Sequence, residues 1–429
     1  MTDIVVVGGG GDMAGVAVTK LLGLRDDCHV TLADRDVDRA ERLARELGTE
    51  RVAVESIDIF DRQLLKKVVS GASLVMNCTG PYYRTGRPVL EACIESVVDY
   101  VDMCDDEDSA LSLLALDRDA IDNGVTALIC CGIAPGLLNV LVRAAADDLD
   151  SLEEVDLAWV SGQAPPTEER PAGGVGVIEH MLHCCVGECA TVRDGARVLI
   201  PAFINGRVID FPQPLGPYKV FELGHAEPAT FTRFLAGLQT LHTMGAIHPP
   251  YLNGLFRGVA KQVTRGSVSM KEAVDFIVAL DTGGKPPGLR PFLGVASGVF
   301  DQLWHREIGV RDLRGLLEAA TGRLQAEALG GVFVSVTGMK DGRRARVTYS
   351  QSSVQGMGEG CMDIDVITGT CLASFASLMI DGAATEKGVV APEACIDPKT
   401  FLEELDRALP EFDLALEPHF EWLDNIPMS

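Results

Sequence analysis

Four consecutive glycines, Gly8–Gly11, stand between an apolar run and Asp12-Met13-Ala14. Read as Gly9-Gly10-Gly11-Asp12-Met13-Ala14, the segment matches G-x-G-x-x-G/A, the pattern of a tight turn that brings backbone close to a pyrophosphate. The register could equally shift by one residue, because the run has four glycines. A helix beginning at Asp12 and Met13 would offer free N–H groups and a favourable dipole to phosphates. Asp34, at the end of the next apolar run, lies about twenty residues on, where a carboxylate accepts hydrogen bonds from a ribose hydroxyl. These residues predict a dinucleotide site. Asp34 disfavours a 2′-phosphate and so favours NAD, while the adjacent Arg35 leaves NADP open. Asp58 follows the third apolar run and is placed either to meet the adenine edge or to cap a helix.

The elements that must position these groups alternate. Ile4–Gly8, Val30–Ala33, Val52–Val54, Leu74–Asn77, Val97–Val101 and Val125–Cys130 read as strands. Asp12–Leu24, Asp36–Leu47, Asp61–Ser70, Arg87–Glu95 and Asp108–Asn123 read as helices. Strand and helix repeated in this way predict an α/β, doubly wound parallel sheet covered on both faces. After Leu149 the rhythm changes. Ser161–Gly174 and Gly283–Gly294 read as loops, Pro201 to Pro217 as irregular extended chain, and Ser269-x-x-Glu272 as a capping box opening a helix to Leu280. Val332–Thr337 and Arg344–Tyr349 around Lys340-Asp341-Gly342 form a hairpin signal. The expected organisation is a doubly wound domain over 1–135, an α+β domain with an antiparallel sheet over 136–365, and a C-terminal segment over 366–429.

Composition narrows the classes. The 429 residues carry a net charge of −25, so no basic excess is available to neutralise nucleic-acid phosphates. Val366–Ile380, bracketed by Asp365 and Asp381, is too short for a bilayer crossing and fits a buried helix. Twelve cysteines without a basic, cleavable leader suggest reduced thiols and a cytoplasmic location.

With these residues in place the chain resembles the saccharopine dehydrogenase-like family, which includes lysine 6-dehydrogenases and carboxynorspermidine dehydrogenases. The resemblance is carried by Ala33-Asp34-Arg35, Val75-Met76-Asn77-Cys78-Thr79-Gly80-Pro81-Tyr82-Tyr83, Tyr100-Val101-Asp102 and Gly132-Ile133-Ala134-Pro135-Gly136. Gly388-Val389-Val390-Ala391-Pro392-Glu393 and Asp397-Pro398 look like the family's closing segment. The match is dense over 3–145, thinner over 180–235 and clear again over 366–405. It implies an NAD(P)-dependent oxidoreductase that transfers hydride between the nicotinamide and an amine- or imine-bearing carbon, usually of an amino acid. It also implies that the first domain is a Rossmann domain, that the second carries a mixed sheet, that C-terminal helices over 366–429 return to the Rossmann domain, that the active site lies between the two domains, and that the protein is a homodimer.

Such chemistry needs substrate and cofactor held together and one group to manage a proton. The loop Cys78-Thr79-Gly80-Pro81 should line the nicotinamide, and Tyr82 resembles the tyrosine of saccharopine reductase active-site loops, although it could merely cover the loop. Asp102 and Asp105 are possible ammonium partners, but nine acidic residues lie between Asp99 and Asp122 against one base, Arg118, so most must be a solvated face. Pro135 and Gly136 open a helix whose first N–H groups could hold a substrate carboxylate, or line the nicotinamide with Pro135 among the cofactor-binding residues, or could be plain capping. His225 is a natural acid or base near neutral pH, and Glu227 could pair with an amine. Arg84, Arg87 and Arg233 could grip carboxylates. His180-x-x-His183-Cys184-Cys185-x3-Cys189 lacks the paired spacing of zinc modules, so no metal is expected. Lysine 6-dehydrogenase-type and saccharopine-type reactions both remain open, as does a carboxynorspermidine dehydrogenase-type reaction. A rival of another class is a dinucleotide-binding sensor or scaffold without catalysis.

Overall fold

A computed structural model describes residues 1–162, 175–281, 288, 290–320, 328–355, 364–410 and 416–423. The first expected loop therefore falls outside the described residues from 163 to 174, as do Pro286 and Pro287 of the second, whose last residues from Arg290 belong instead to helix Arg290–Trp304. In the first sheet, β1 (Thr2–Val7), β2 (Cys28–Asp34), β3 (Val52–Ser56), β4 (Leu74–Asn77), β5 (Asp99–Asp102) and β6 (Thr126–Leu128) are all parallel. Every residue of β4 and β6 is buried, as a strand covered on both faces requires. Chain order reverses between β1 and β4, which opens a crevice at the carboxyl ends of those strands.

Two helix boundaries differ from expectation. The helix placed at Arg87–Glu95 begins at Tyr82, and Pro88 lies inside it. Gly86 and Pro88 imitate a break, yet the missing N–H of Pro88 leaves only the Arg84 carbonyl without its partner. The helix placed at Asp108–Asn123 is two, Glu107–Leu114 and Asp117–Asp122. The break puts Asp117 at a helix start, where its carboxylate accepts from the Val389 N–H at 2.9 Å and pairs with Arg233 at 2.6 Å.

The second sheet comprises β7 (Ser151–Gly162), β8 (Glu188–Arg193), β9 (Ala196–Pro201), β10 (Ile204–Asp210), β11 (Pro217–Glu222), β12 (Thr240–His248), β13 (Ala328–Lys340) and β14 (Arg343–Gln355). It is mixed: β12 and β7 run parallel, and the remaining pairs are antiparallel. The stretch expected to be irregular thus contains ladder strands. Between β13 and β14, Asp341 at φ 51° and Gly342 at φ 74° make the two-residue hairpin turn. Helix Met270–Asp281 opens on the expected box, with Ser269 N–H donating to Glu272 Oε2 at 2.8 Å and Glu272 N–H to Ser269 Oγ at 3.2 Å.

The chain then returns to the first sheet. Helix Ile364–Ile380 is buried on nearly every side and packs on helix Asp12–Leu24. Among the described residues no helix is long and apolar enough to cross a membrane. β15 (Gly388–Val390) adds a seventh parallel strand beside β6, and β16 (His419–Trp422) pairs with β14.

Candidate functional site

The glycine turn is built for close approach. Gly8 is the residue with positive φ, 79°, and a Cβ there would stand 2.9 Å from Thr79 Cγ2. Gly8 O accepts from Gly11 N–H at 3.0 Å, and helix Asp12–Leu24 follows Gly11. The left-handed turn falls on Gly8 rather than Gly9, and the spaced small residues Gly8, Gly11 and Ala14 read G-x-x-G-x-x-A, a spacing that neither register of the expected G-x-G-x-x-G/A reproduces. The N–H groups of Asp12, Met13 and Ala14 have no carbonyl four residues back within the helix, so they can meet phosphate. Asp34 Oδ2 accepts from Gly10 N–H at 2.9 Å, fixing the carboxylate against the turn at the end of β2. Arg35 is exposed, and Asp12 pairs with Arg39. Asp58 is exposed and closes a turn by accepting from Phe60 N–H at 3.0 Å, whereas Asp61 caps the next helix. Cys78 N–H donates to Val7 O at 2.8 Å, and Thr79 abuts Gly8, so Cys78-Thr79-Gly80-Pro81 forms the wall of the crevice opposite Asp34. The donors and the absence of side chains at the turn fit a dinucleotide pyrophosphate.

On the other side of the crevice, Asp102 is fully buried at the end of β5. Its Oδ1 accepts from Cys104 N–H at 3.0 Å and Cys130 N–H at 2.9 Å, and its Oδ2 accepts from Tyr100 hydroxyl at 2.7 Å. Tyr100 in turn accepts from Asn77 Nδ2 at 2.9 Å, and Asn77 Oδ1 accepts from Thr79 N–H and hydroxyl. Burial pushes the Asp102 pKa up to about 6 against those hydrogen bonds. This carboxylate ties together the chain ends of β4, β5 and β6. Three donors, two of them backbone N–H groups and one the Tyr100 hydroxyl, already hold it in place. The Tyr82 hydroxyl, on a buried side chain, donates to Asn77 O at 2.8 Å and so pins the loop.

Pro135 and Gly136 form the tight start of helix Leu137–Asp147. Gly136 has φ 129°, and a Cβ on it would lie 2.0 Å from Gly132 O, because the loop folds back on itself. Gly136 N–H donates to Asn139 Oδ1, and Leu137 and Leu138 N–H donate to Gly132 and Ile133 carbonyls, all at 3.0 Å. The helix start that was to hold a carboxylate is closed by its own loop. The three candidate arginines are likewise engaged. Arg84 pairs with Glu179 at 3.0 Å, Arg87 with Glu91 at 2.7 Å and Arg233 with Asp117.

What the structure brings together is the loop after β5, helix Val175–Cys185 and residues 225–227. His180 stands between two carboxylates, with Nδ1 2.9 Å from Asp106 Oδ1 and Nε2 3.1 Å from Asp105 Oδ2. Two carboxylates, one at each ring nitrogen, favour the doubly protonated imidazolium. Burial disfavours that charge, but the Asp105 carboxylate and the Asp106 hydrogen bond raise the His180 pKa well above its ordinary value. Burial raises Asp105, whereas at Asp106 burial is outweighed by the His180 hydrogen bond and the charges of His180, His183 and His225 together, which hold that carboxyl below the usual range. Cys184 Sγ lies 3.3 Å from His180 Nε2, one helical turn away. The His180 ring meets the His225 ring edge-on at 5.9 Å, and Trp159 lies 5.7 Å from His225 on another side.

His225 and Glu227 are both buried, and His225 Nδ1 is 2.7 Å from Glu227 Oε2. The carboxylate fixes the Nδ1–H tautomer and leaves Nε2 for chemistry. Asp106 Oδ2, Glu227 Oε1 and the Trp159 indole N–H are buried without a hydrogen-bond partner. Such orphaned atoms mark where a polar ligand or water is expected. Tyr83 closes the outer edge, stacked on His183 at 4.7 Å and hydrogen-bonded to Glu179. Behind the pair, Asn139 Nδ2 donates to Glu393 Oε2 at 2.8 Å, and Glu393 is fully buried. Sequence reasoning missed Asp106, His180, Trp159 and Glu393 as members of one site. The available signal was the shared helical face of His180 and Cys184.

Residues 4–128 match the model of the saccharopine dehydrogenase NADP binding domain. Carboxyaminopropylagmatine dehydrogenase of Synechocystis sp. is 29% identical over 184 residues, covering 40% of this chain and 46% of that protein. A trans-acting enoyl reductase of Mycobacterium ulcerans is 27% identical over 181 residues, covering 38% and 43%. The chain thus matches less than half the length of either relative. Apo saccharopine dehydrogenase (L-Glu forming) from Saccharomyces cerevisiae has the same fold, with a TM-score of 0.61 at 15% identity over 99% of this chain and 100% of that one. Residues 4–128 are thus similar to the saccharopine dehydrogenase NADP binding domain, and the chain along its length has the fold of saccharopine dehydrogenase.

Proposed function

We propose that this protein is an NAD(P)-dependent oxidoreductase acting on a C–N bond of a small amine or amino acid. The supporting observation is the buried cluster of Asp105, Asp106, His180, His225 and Glu227 on the β4–β6 side of the crevice, the side on which a nicotinamide lies when the adenosine end meets Asp34. Residues 8–14, Asp34 and the loop 78–81 would hold the cofactor, which supplies or accepts the hydride when bound. Two carboxylates against one imidazolium leave the Asp105–His180–Asp106 group net negative, which suits a protonated amine. His225 Nε2, steered by Glu227, would take the proton lost from nitrogen as the C=N bond forms, and return it in the reverse direction. Asp34 supports NAD over NADP, since a 2′-phosphate would meet its charge; Arg35 is the residue that would accommodate NADP.

The carboxyaminopropylagmatine dehydrogenase relative supports an amine bearing a carboxyalkyl group, alongside lysine and saccharopine. We place the enzyme in the cytoplasm as a homodimer; the described cysteines are all unpaired, which suits a reducing compartment. The test is NAD and NADP reduction with lysine, saccharopine and carboxyalkylated diamines, run beside NADPH oxidation with an enoyl thioester. Turnover of an amine supports the reading. Turnover of the thioester alone would replace it with double-bond reduction. Tight NADH binding with no turnover across the amines would favour the sensor.

A further inference from the structure

The second sheet carries a pocket of about 650 Å³ that the mechanism above does not use. It lies between the segment Pro201–Gly206, β11 and helices Tyr251–Thr264 and Arg290–Trp304. Helix Val175–Cys185 separates it from the cleft: Cys184 touches His180, while its neighbour Cys185 lines the pocket.

The charge of this pocket runs against that of the chain. Lys219, Arg257, Lys261 and Arg265 line it with only two carboxylates, Asp301 and Glu307. Arg257 is 5% exposed, with its guanidinium 4.9 Å and 4.6 Å from the ring centroids of Phe203 and Phe221. It contacts Asp301 at 3.1 Å and Glu307 at 2.8 Å, while its Nε has no hydrogen-bond partner. Each carboxylate is already shared, Asp301 with Lys261 at 3.2 Å and Glu307 with Lys219 at 3.3 Å. Arg265, exposed at the rim, forms no ion pair among the described residues. Four cations against two anions leave an excess of positive charge in a protein of net charge −25.

The wall is also strained. Phe203 at φ 65° and Asn205 at φ 53° are left-handed without being glycine, a conformation costing roughly 1 kcal/mol or more each. Strain of this kind persists where the surrounding fold needs the shape. Here the shape presents an aromatic surface and a buried guanidinium to the same cavity.

We propose that this pocket is a second ligand site, taking a small organic anion whose phosphate or carboxylate meets Arg257, Lys261 and Arg265 and whose apolar body packs on Phe203 and Phe221. The site stands apart from the dinucleotide turn, and its occupancy is measurable without turnover. The experiment is titration calorimetry of the full chain with phenyl phosphate and, separately, with benzoate, repeated on the double variant Lys261→Gln/Arg265→Gln. Both side chains reach solvent, so the variant keeps its fold, checked by unchanged NADH affinity. Binding of either anion that weakens about tenfold or more in the variant supports the site, and the preferred anion identifies phosphate or carboxylate as the recognised group. No binding of either anion, or equal affinity in the two proteins, would overturn it.

Discussion

Glu393→Gln should make the protein more stable above neutral pH. Glu393 is fully buried; its Oε2 accepts from Asn139, its Oε1 has no partner, and Glu227 and Thr230 stand nearby. Burial pushes its pKa from 4.5 up to about 7, with the Glu227 charge adding to the effect and the hydrogen bonds opposing it. A folded-state pKa above the unfolded one means that the fold retains a proton the unfolded chain has released. Stability from this group is therefore full below pH 4.5 and is lost as pH rises through about 7. At about 1.4 kcal/mol for each pH decade between the two values, the loss comes to about 3 kcal/mol above neutrality. Glutamine has nearly the same shape, can still accept from Asn139 and carries no charge to desolvate. The variant and wild type should match at about pH 5 and diverge by about 3 kcal/mol in favour of the variant by about pH 8. Urea unfolding followed by tryptophan fluorescence across that range measures the difference directly. Comparing the two proteins cancels the other buried carboxyls, Asp102 and Asp105 among them. A difference that does not change with pH, or a variant weaker at pH 8, would refute the reasoning.

Three further outcomes follow from the site. His225→Asn should lower amine turnover by about a hundredfold, with NADH affinity retained, because it removes the ring nitrogen that handles the proton; steady-state kinetics and fluorescence titration separate the two. Tyr82→Phe should cost about 1 kcal/mol of stability, the hydrogen bond to Asn77 O, while turnover per folded molecule stays within a few-fold of wild type. A large loss of turnover would return the hydroxyl to the chemistry. Asp34→Ser should shift preference toward NADPH by about tenfold or more, read as the ratio of the two dissociation constants, since it removes a carboxylate beside the 2′ position.

The parallel sheet was legible because each strand announces itself locally, through a short apolar run followed by a helix start. Asp34 was legible for the same reason: its partner, Gly10, belongs to a fingerprint with fixed spacing. The cluster around His180 was not, because its partners Asp105 and Asp106 stand 75 and 74 residues away on another element, and nothing local marks the pairing. Nor could spacing separate Asp102 from Asp105. One is consumed by Cys104, Cys130 and Tyr100, the other faces an imidazolium, and only the chain path decides which. Pro135-Gly136 was equivocal because an open helix start and one closed by a folded-back loop begin with the same residues. The split between Leu114 and Asp117 was hidden by an unbroken run of helix-forming residues.

The seventh strand of the first sheet has a consequence for how the chain is made. β15 hydrogen-bonds to β6 but follows it by about 260 residues, with strands β7 to β14 of the second sheet emerging from the ribosome in between. At roughly 5–20 residues per second, the nucleotide sheet waits on the order of tens of seconds with the β6 edge bare. A bare parallel edge of buried-type residues is an invitation to pair with another nascent chain. Such an intermediate is a natural client for a chaperone, and a product cut short before Gly388 would retain that adhesive edge while still carrying every residue of the glycine turn.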